Sequence, residues 1–249
     1  MITLNKISKS FGGKLVLDDV STQFEPGKTN LIIGQSGSGK TVMMKCTVGL
    51  LEVDKGEVRY DNRKFSGASK SEKKEFRKEI GMLFQSGALF DSQNVEQNIK
   101  FPLIMYSSMS PLEMQKRVDF CLERVNLQKV NKLMPSELSG GMVKRVAIAR
   151  AIALNPRYLF CDEPNSGLDP QTSKLIDDLI SEITHEYNIT TIVNTHDMNS
   201  VLQIGEAINF IYQGKLWWKG DKHTILNSGN DVLNEFVFST ELTQRLRKT

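Results

Sequence analysis

The sequence lacks most features that mark secreted, disulfide-rich or membrane-embedded proteins. Its 249 residues include only three cysteines, Cys46, Cys121 and Cys161, which are scattered and have no metal-ligand spacing. No window approaches the roughly 18 apolar residues of a membrane-spanning helix, and the first stretch, MITLNKISKSFGGK, lacks the apolar core of a signal peptide. We therefore expect free thiols in a reducing compartment and a cytosolic chain.

The sequence also lacks a strong excess of charge of one sign. Its 32 Lys and Arg residues against 29 Asp and Glu residues leave a formal net charge of +3, which does not suggest a nucleic-acid partner. A lysine-rich stretch, residues 62–79, is interleaved with glutamates and is interpreted as a solvated helical face.

Short apolar stretches alternate with helical patterns along the chain. TNLIIG, RYLFCDEP and ITTIVNTH are typical of buried parallel strands, and AINFIYQGKLWWKGD predicts a hairpin turning at Gly214. A helix is expected to begin near Pro170, with one apolar face formed by Leu175, Ile176, Leu179, Ile180 and Ile183. This order predicts an α/β fold with a doubly wound, mainly parallel sheet.

From about residue 86 to residue 137 the pattern becomes helical. Ser110 is expected to cap a helix that starts at Pro111, and Glu113 completes a capping box. The apolar residues that then recur at helical spacing are Met114, Val118, Leu122 and Val125. We interpret this segment as a helical insertion in the α/β domain.

A glycine-rich stretch lies between the apolar TNLII strand and a predicted helix. It consists of Gly34, Gln35, Ser36, Gly37, Ser38, Gly39, Lys40 and Thr41, and fits the P-loop pattern. In a P-loop, backbone N–H groups and the helix N-terminus bind phosphate oxygens, the lysine reaches the β- and γ-phosphates, and the hydroxyl of the last residue ligates Mg²⁺. The sequence therefore predicts a nucleotide site with Mg²⁺.

Polar residues at the ends of other predicted strands are candidates for the chemistry. Asp162 is expected to orient Mg²⁺ through water, and Glu163 to accept a proton from the attacking water. His196 is expected to contact the γ-phosphate or that water, and Gln85, a weak signal on its own, to reach Mg²⁺ or water. A surface turn is the structural alternative for the Asp-Glu pair, but this pair follows a buried apolar strand.

A second possible anion site lies in the stretch ELSGGM. Ser139, Gly140 and Gly141 stand at the start of a long predicted helix, where the backbone N–H groups and the helix dipole favour an anion. The P-loop already supplies a phosphate site, so the sequence poses the question of what the second site binds.

Together these motifs resemble the ATP-binding subunits of ABC transporters, over roughly residues 1 to 225. In chain order the resemblance rests on Phe11, the P-loop at 34–41, Gln85, the signature LSGGM at 138–142, Asp162 with Glu163, the D-loop SGLD at 166–169, and His196. It implies an ABC-type nucleotide-binding domain over residues 1–229, with an antiparallel β part and a helical subdomain.

The resemblance also implies ligands and partners. Phe11 would stack on adenine, ATP and Mg²⁺ would bind at the P-loop, and Thr41, Gln85 and Asp162 would hold the Mg²⁺. In a head-to-tail homodimer, Ser139, Gly140 and Gly141 of one chain would close the ATP site of the other, with Asp169 in the D-loop. Integral-membrane permease subunits would hold the dimer at the cytoplasmic face of the membrane, docked on residues 86–106.

Two local features are similar to the ATPases of Mla-type phospholipid transporters, which work with MCE-domain lipid-binding proteins. They are the stretch MLFQSGALFDSQNVEQNIKFPL and Met142, where the signature usually has glutamine. Phe11, where tyrosine is commoner, and Asn165 depart from the family pattern. Residues 230–249 are a predicted helical tail, whose Phe236 and Phe238 pack either on the other subunit or on their own domain.

Alternative functions share the same core motifs. The chain could power a transporter of amino acids, lipoproteins or metals, because cargo is chosen by the membrane partner. A soluble ABC ATPase acting on ribosomes or DNA usually has two ATPase domains or long insertions, which this chain lacks. A non-catalytic ATP-binding regulator fits poorly with the presence of Lys40, Glu163 and His196.

Overall fold

The fold is that of a computed structural model, which describes residues 1–238. In chain order its strands and α-helices are β1 (Ile2–Phe11), β2 (Lys14–Phe24), β3 (Thr29–Ile33), α1 (Lys40–Val48), β4 (Lys55–Tyr60), β5 (Arg63–Lys64), α2 (Lys70–Lys78), β6 (Ile80–Leu83), α3 (Val95–Tyr106), α4 (Pro111–Arg124), α5 (Gly140–Ile152), β7 (Tyr158–Asp162), α6 (Pro170–Glu186), β8 (Thr190–Asn194), α7 (Met198–Ile204), β9 (Ala207–Tyr212), β10 (Lys215–Gly220) and α8 (Asp231–Val237). The described residues form two compact units, one from residues 1–69 and 190–238, the other from residues 70–189.

The first unit contains a parallel arrangement centred on β3. This strand pairs in parallel with β8 on one side and β9 on the other, with Leu31 opposite Val193 and Ile208. All five residues of β3 are buried, as expected of a central strand covered on both faces. The chain then turns at Gly214, as predicted, and β10 returns antiparallel to β9.

The same unit contains a separate antiparallel sheet with the strand order β2-β1-β4-β5. β1 turns into β2 through Gly12 and Gly13, which have φ angles of 53° and 80° and so adopt a left-handed conformation that glycine tolerates. This sheet is the antiparallel part that the family resemblance implied.

The second unit pairs β6 with β7 in parallel and carries helices α2 to α6. Ile80 lies opposite Tyr158 in this pair. A side chain at Gly81 would place its Cβ only 2.4 Å from the carbonyl oxygen of Ala151, so glycine lets α5 pack directly on β6. The predicted helical segment, 86–137, lies inside this unit and contains α3 and α4.

Several local predictions can be compared with the structure. The capping box at Ser110 and Glu113 is present at the start of α4, and the basic helix α2 buries only Phe76. All three cysteines are buried free thiols, and burial raises the pKa of Cys46 and Cys121 to about 11. The prediction for Leu175 was wrong, because this residue is 60% exposed while Ile176, one step further round the helix, faces the core.

The end of the described chain is packed against its own domain. Phe236 and Phe238 are both 8% exposed, and the Phe236 ring lies 5.5 Å from the ring of Phe210 in β9. These contacts favour the alternative that the two phenylalanines dock on their own domain, and packing on another subunit stays a prediction. Residues 239–249 lie outside the described residues, so contact of that stretch with a partner stays a prediction.

Within residues 1–238, every helix is too short or too polar to cross a membrane.

Candidate active-site motifs

The loop between β3 and α1 has a backbone that requires glycine at two positions. Gly34 has a φ angle of 146°, and a Cβ there would lie 2.2 Å from the carbonyl oxygen of Ile211. Gly39, at φ 108°, is the N-cap residue of α1. A side chain at either position would be strained, so these glycines fix the path of the loop.

The side chain of Lys40 is hydrogen-bonded to the backbone of this loop. Its ammonium donates hydrogen bonds to the carbonyl oxygens of Gly34 at 2.8 Å and of Gln35 at 3.0 Å, and the residue is only 7% exposed. The positive charge is therefore held against the backbone of the loop rather than in open solvent.

The residues of the loop fit a bound phosphate group. Helix α1 has no side-chain cap and no acidic residue in its first turn, so its N-terminus favours an anion. The Ser38 hydroxyl is buried and has no hydrogen-bond partner among the described residues. A buried hydroxyl beside uncapped N–H groups and an ammonium is a suitable donor set for phosphate oxygens.

Four more residues of the first unit bear on the candidate nucleotide site. The Thr41 hydroxyl accepts a hydrogen bond of 3.3 Å from the side-chain amide of Asn194, the last residue of β8. His196 is exposed two residues further along, and Phe11 is 45% exposed at the end of β1. The sequence prediction missed Asn194, although a polar residue at the end of an apolar strand was the same signal that identified Asp162.

The second unit brings Gln85 and the D-loop together. The side-chain amide of Gln85, just beyond β6, donates a hydrogen bond of 3.2 Å to the hydroxyl of Ser166. Ser166 in turn donates its backbone N–H to the carbonyl oxygen of Glu163 at 3.2 Å. Two segments 81 residues apart in the chain are thus in direct contact.

The acidic pair lies where the sequence placed it, at the end of β7. Asp162 is the last residue of the strand, and both carboxylate residues are partly buried. Glu163 has a φ angle of 47°, a left-handed conformation that is uncommon for a residue with a side chain. Such backbone strain is often found at functional sites because it holds a side chain in a chosen direction.

The signature stretch forms the start of α5. The Ser139 hydroxyl caps the helix by accepting the backbone N–H of Met142 at 3.3 Å. Asp169 caps α6 in the same way, and its hydrogen bond from the Thr172 hydroxyl, with further backbone N–H groups, lowers the pKa of Asp169.

A buried lysine in α5, which the sequence analysis did not single out, contacts two of these segments. The ammonium of Lys144 donates to the carbonyl oxygens of Gln85 and Glu163. Burial lowers the pKa of Lys144, while nearby Cys161, Glu163 and Asp162 act in the opposite direction.

The α/β fold and the glycine-rich loop before α1 define the chain as a P-loop nucleotide-binding protein. A model of the ABC transporter family matches residues 17–166. The methionine import ATP-binding protein MetN of Campylobacter jejuni is 36% identical over 95% of this chain and 75% of its own length. The intermembrane phospholipid transport system ATP-binding protein MlaF of Haemophilus influenzae is 37% identical over 95% of this chain and 90% of its own length.

Solved structures agree with the sequence relatives. The dimeric structure of MJ0796, a bacterial ABC transporter cassette, superposes with a TM-score of 0.82 at 33% identity, covering 89% of this chain and 99% of that one. A second structure of the same cassette is a post-hydrolysis state bound to ADP and Pi. The chain belongs to the ABC transporter family and is an ATPase subunit, which confirms the predicted fold class and enzyme class.

The surroundings of the two adjacent glycines of the signature predict that the two positions tolerate a side chain to different degrees. A Cβ at Gly141 would lie 2.6 Å from the Cγ2 methyl of Thr172, whereas the nearest atom to a Cβ at Gly140 is 3.4 Å away. We expect Gly141→Ala to lower the free energy of unfolding by about 1–3 kcal/mol and Gly140→Ala by less than about 1 kcal/mol. Chemical denaturation followed by circular dichroism measures both.

The companion variant for this prediction is Thr172→Ser, which removes the methyl but keeps the hydroxyl that bonds Asp169. Combined with Gly141→Ala it should recover most of the lost stability. Equal losses for both glycine variants would show that the contact with Thr172 does not limit this position.

Proposed function

We propose that the chain is the ATP-hydrolysing subunit of an Mla-type phospholipid transporter, in which it works with a permease and MCE-domain proteins. The observation that carries the cargo assignment is Met142 in the signature, together with the 37% identity to a phospholipid transport ATPase over 90% of that protein. The methionine importer relative, at 36%, supports an amino-acid transporter as the second candidate.

ATP binding is assigned to the loop from Gly34 to Thr41. The uncapped N–H groups of α1, the Ser38 hydroxyl and the Lys40 ammonium supply donors for the phosphates. Lys40 would exchange its bonds to loop carbonyls for bonds to phosphate oxygens. Phe11, with an exposed ring, is assigned to the adenine.

The Mg²⁺ ligands are assigned to Thr41, Gln85 and Asp162 from the family resemblance. A hydroxyl, an amide oxygen and a carboxylate are the oxygen donors that Mg²⁺ prefers, and the ion would neutralise charge on the β- and γ-phosphates. In the described structure Gln85 turns its amide nitrogen toward Ser166, which leaves the amide oxygen as the atom for this role.

Hydrolysis is assigned to Glu163 as the base, with His196 at the γ-phosphate or the attacking water. Glu163 has a left-handed backbone conformation, and its carbonyl oxygen accepts hydrogen bonds from Lys144 and from the backbone N–H of Ser166. A base of this kind takes the proton from the water as the oxygen attacks phosphorus.

The signature stretch is assigned to binding the ATP that is held by the P-loop of a second copy of the chain. Ser139 is the N-cap of α5, and Gly140 and Gly141 are its first two residues. This 13-residue helix has no acidic residue in its first turn, so its N-terminus favours an anion. The MJ0796 cassette is described as a dimer, which supports a head-to-tail homodimer here. Asp169, at the start of α6, is the D-loop residue of this arrangement.

The docking site of the membrane partner is assigned to an exposed apolar patch formed by α3 and the loop before it. We define this docking patch as Phe90, Phe101, Ile104 and Met105, which are between 37% and 64% exposed. The rings of Phe90 and Phe101 lie 4.7 Å apart, so part of the patch is one continuous apolar surface. A permease bound there would hold the chain at the cytoplasmic face of the membrane.

Removing the proposed base should separate catalysis from binding. Glu163→Gln keeps the size of the side chain but cannot accept a proton, so ATP turnover should fall by about 100-fold or more. MgATP binding, measured by calorimetry, should stay within about threefold of the original because the phosphate donors are unchanged. Glu123→Gln, an exposed position on α4, is the matched control. Turnover preserved in Glu163→Gln would remove this residue from the base role.

The docking patch is tested by placing a charge in it. Ile104→Glu should reduce recovery of the permease with the tagged chain from detergent-solubilised membranes by about tenfold, because a buried unpaired carboxylate is costly at an interface. The control is Leu175→Glu on α6, since Leu175 is 60% and Ile104 64% exposed. Both variants should hydrolyse ATP normally without the permease. Equal recovery of the permease with both would place the docking site elsewhere.

The cargo is tested on the complete complex. After purification with its membrane partner from native membranes, the complex should contain phospholipid above the level of a matched membrane protein, as measured by mass spectrometry of extracted lipids. Its ATPase rate should rise with added phospholipid and not with free methionine. Stimulation by methionine instead would favour the amino-acid transporter.

A further inference from the structure

Helix α5 carries two cations that bind the backbone of one short segment. The segment is residues 85–88, directly after β6, and we call it the clamped segment. Lys144 donates to the carbonyl oxygen of Gln85, while Arg150 donates to the carbonyl oxygens of Gly87 and Ala88, each at 2.7 Å. The segment is therefore fastened to α5 at both of its ends.

Lys144 alone of these two cations also reaches the end of β7. Its ammonium lies 3.4 Å from the carbonyl oxygen of Glu163, and the residue is only 4% exposed. An ammonium has three donors and no acceptor, so its contacts with two carbonyl oxygens give it a defined place between two chain segments. Charge-assisted hydrogen bonds in such a buried place are stronger than those between neutral groups.

The backbone that these cations hold is in uncommon conformations. Gly87, Ala88 and Glu163 have φ angles of 77°, 47° and 47°. Residues with side chains cost free energy in this region, so they persist only where surrounding contacts hold them. The carbonyl of Glu163 is one of the contacts made by Lys144, and the carbonyl of Ala88 is one made by Arg150.

We propose that Lys144 is a positioning residue for ATP hydrolysis, which fixes Gln85 and Glu163 relative to each other and to α5. The proposal rests on the proposed function, because it takes Glu163 as the base and Gln85 as a residue of the site. Lys144 touches neither ATP nor water in this scheme and acts only through the two backbone carbonyls. A movement of Gln85 is then passed to α5 and to Ser139 at its start, because one ammonium joins the two.

A positioning role and a general contribution to stability predict different effects of replacing Lys144 on ATP binding and on the catalytic step. Loss of the ammonium leaves the loop before α1 intact, so binding of ATP should persist. It removes the contact that aligns the base, so the catalytic step should slow. Arg150 keeps the clamped segment on α5 when Lys144 is replaced, which favours a folded variant.

The test uses steady-state hydrolysis of MgATP by the purified full chain. Lys144→Met keeps the apolar stem and removes the charge, and it should lower kcat by about 10- to 100-fold with KM changed by less than about threefold. Lys144→Arg should recover most of the lost rate because the guanidinium also donates to carbonyl oxygens. The matched control, Lys116→Met, removes an exposed lysine from α4 in the same unit and should leave both constants unchanged.

Thermal melts of each variant separate folding from positioning, with rates measured well below the melting temperature. If Lys144→Met melts too low for this, Lys144→Gln takes its place with the same expected loss. A kcat within about twofold of the original in a folded variant would overturn the proposal, as would a raised KM at unchanged kcat. Failure of a folded Lys144→Arg to recover rate would also contradict it.

Glu163→Gln, assayed beside these variants, distinguishes failure of the positioning role of Lys144 from failure of the proposed function. If Glu163→Gln is inactive and Lys144→Met is fast, the proposed function stands and the positioning role is wrong. If Glu163→Gln retains turnover, the assignment of the base fails, and the role of Lys144 falls with it.

Discussion

The close approach of Gly34 to the carbonyl oxygen of Ile211 is the constraint on which the first unit depends. It exists because β3 lies between β8 and β9, all of its residues buried, and the chain leaves that strand beside β9 with no space for a side chain. The ammonium of Lys40 donates hydrogen bonds to two carbonyl oxygens of the loop that follows. The position of a charged group is thus determined by the packing of an apolar strand.

In the second unit the corresponding element is α5. It packs directly on β6 at Gly81, is capped by Ser139, and directs Lys144 and Arg150 to the backbone of residues 85–88. Buried cations are costly unless their donors are satisfied, and here backbone carbonyls satisfy them. Because much of α5 is buried, its charged side chains are stable only where loops supply carbonyl acceptors. The resulting hydrogen bonds fix the positions of those loops on the helix.

Much of this arrangement could be predicted from the sequence because its signals are local. The strands follow from apolar stretches, the capping box from Ser110 and Glu113, and the glycine-rich loop from its place between a strand and a helix. Lys144 and Asn194 could not be found in this way, because their contacts with Gln85, 59 residues away, and with Thr41, 153 residues away, depend on the packing of whole elements. Leu175 was misplaced because helical spacing alone does not define the edge of a buried face.

The difference between the two helix N-termini bears on why the chain has two candidate anion sites. Helix α1 has no side-chain cap, whereas α5 is capped by the Ser139 hydroxyl, which accepts the N–H of Met142. A hydroxyl can accept and donate at the same time. Ser139 can therefore keep its hydrogen bond from Met142 and also donate its own proton to a phosphate oxygen of ATP bound by a second copy. An uncapped helix is available to a ligand of its own chain. A capped helix is stable without a ligand, which suits the proposed role of the signature, since in that role it would contact ATP only when two subunits associate.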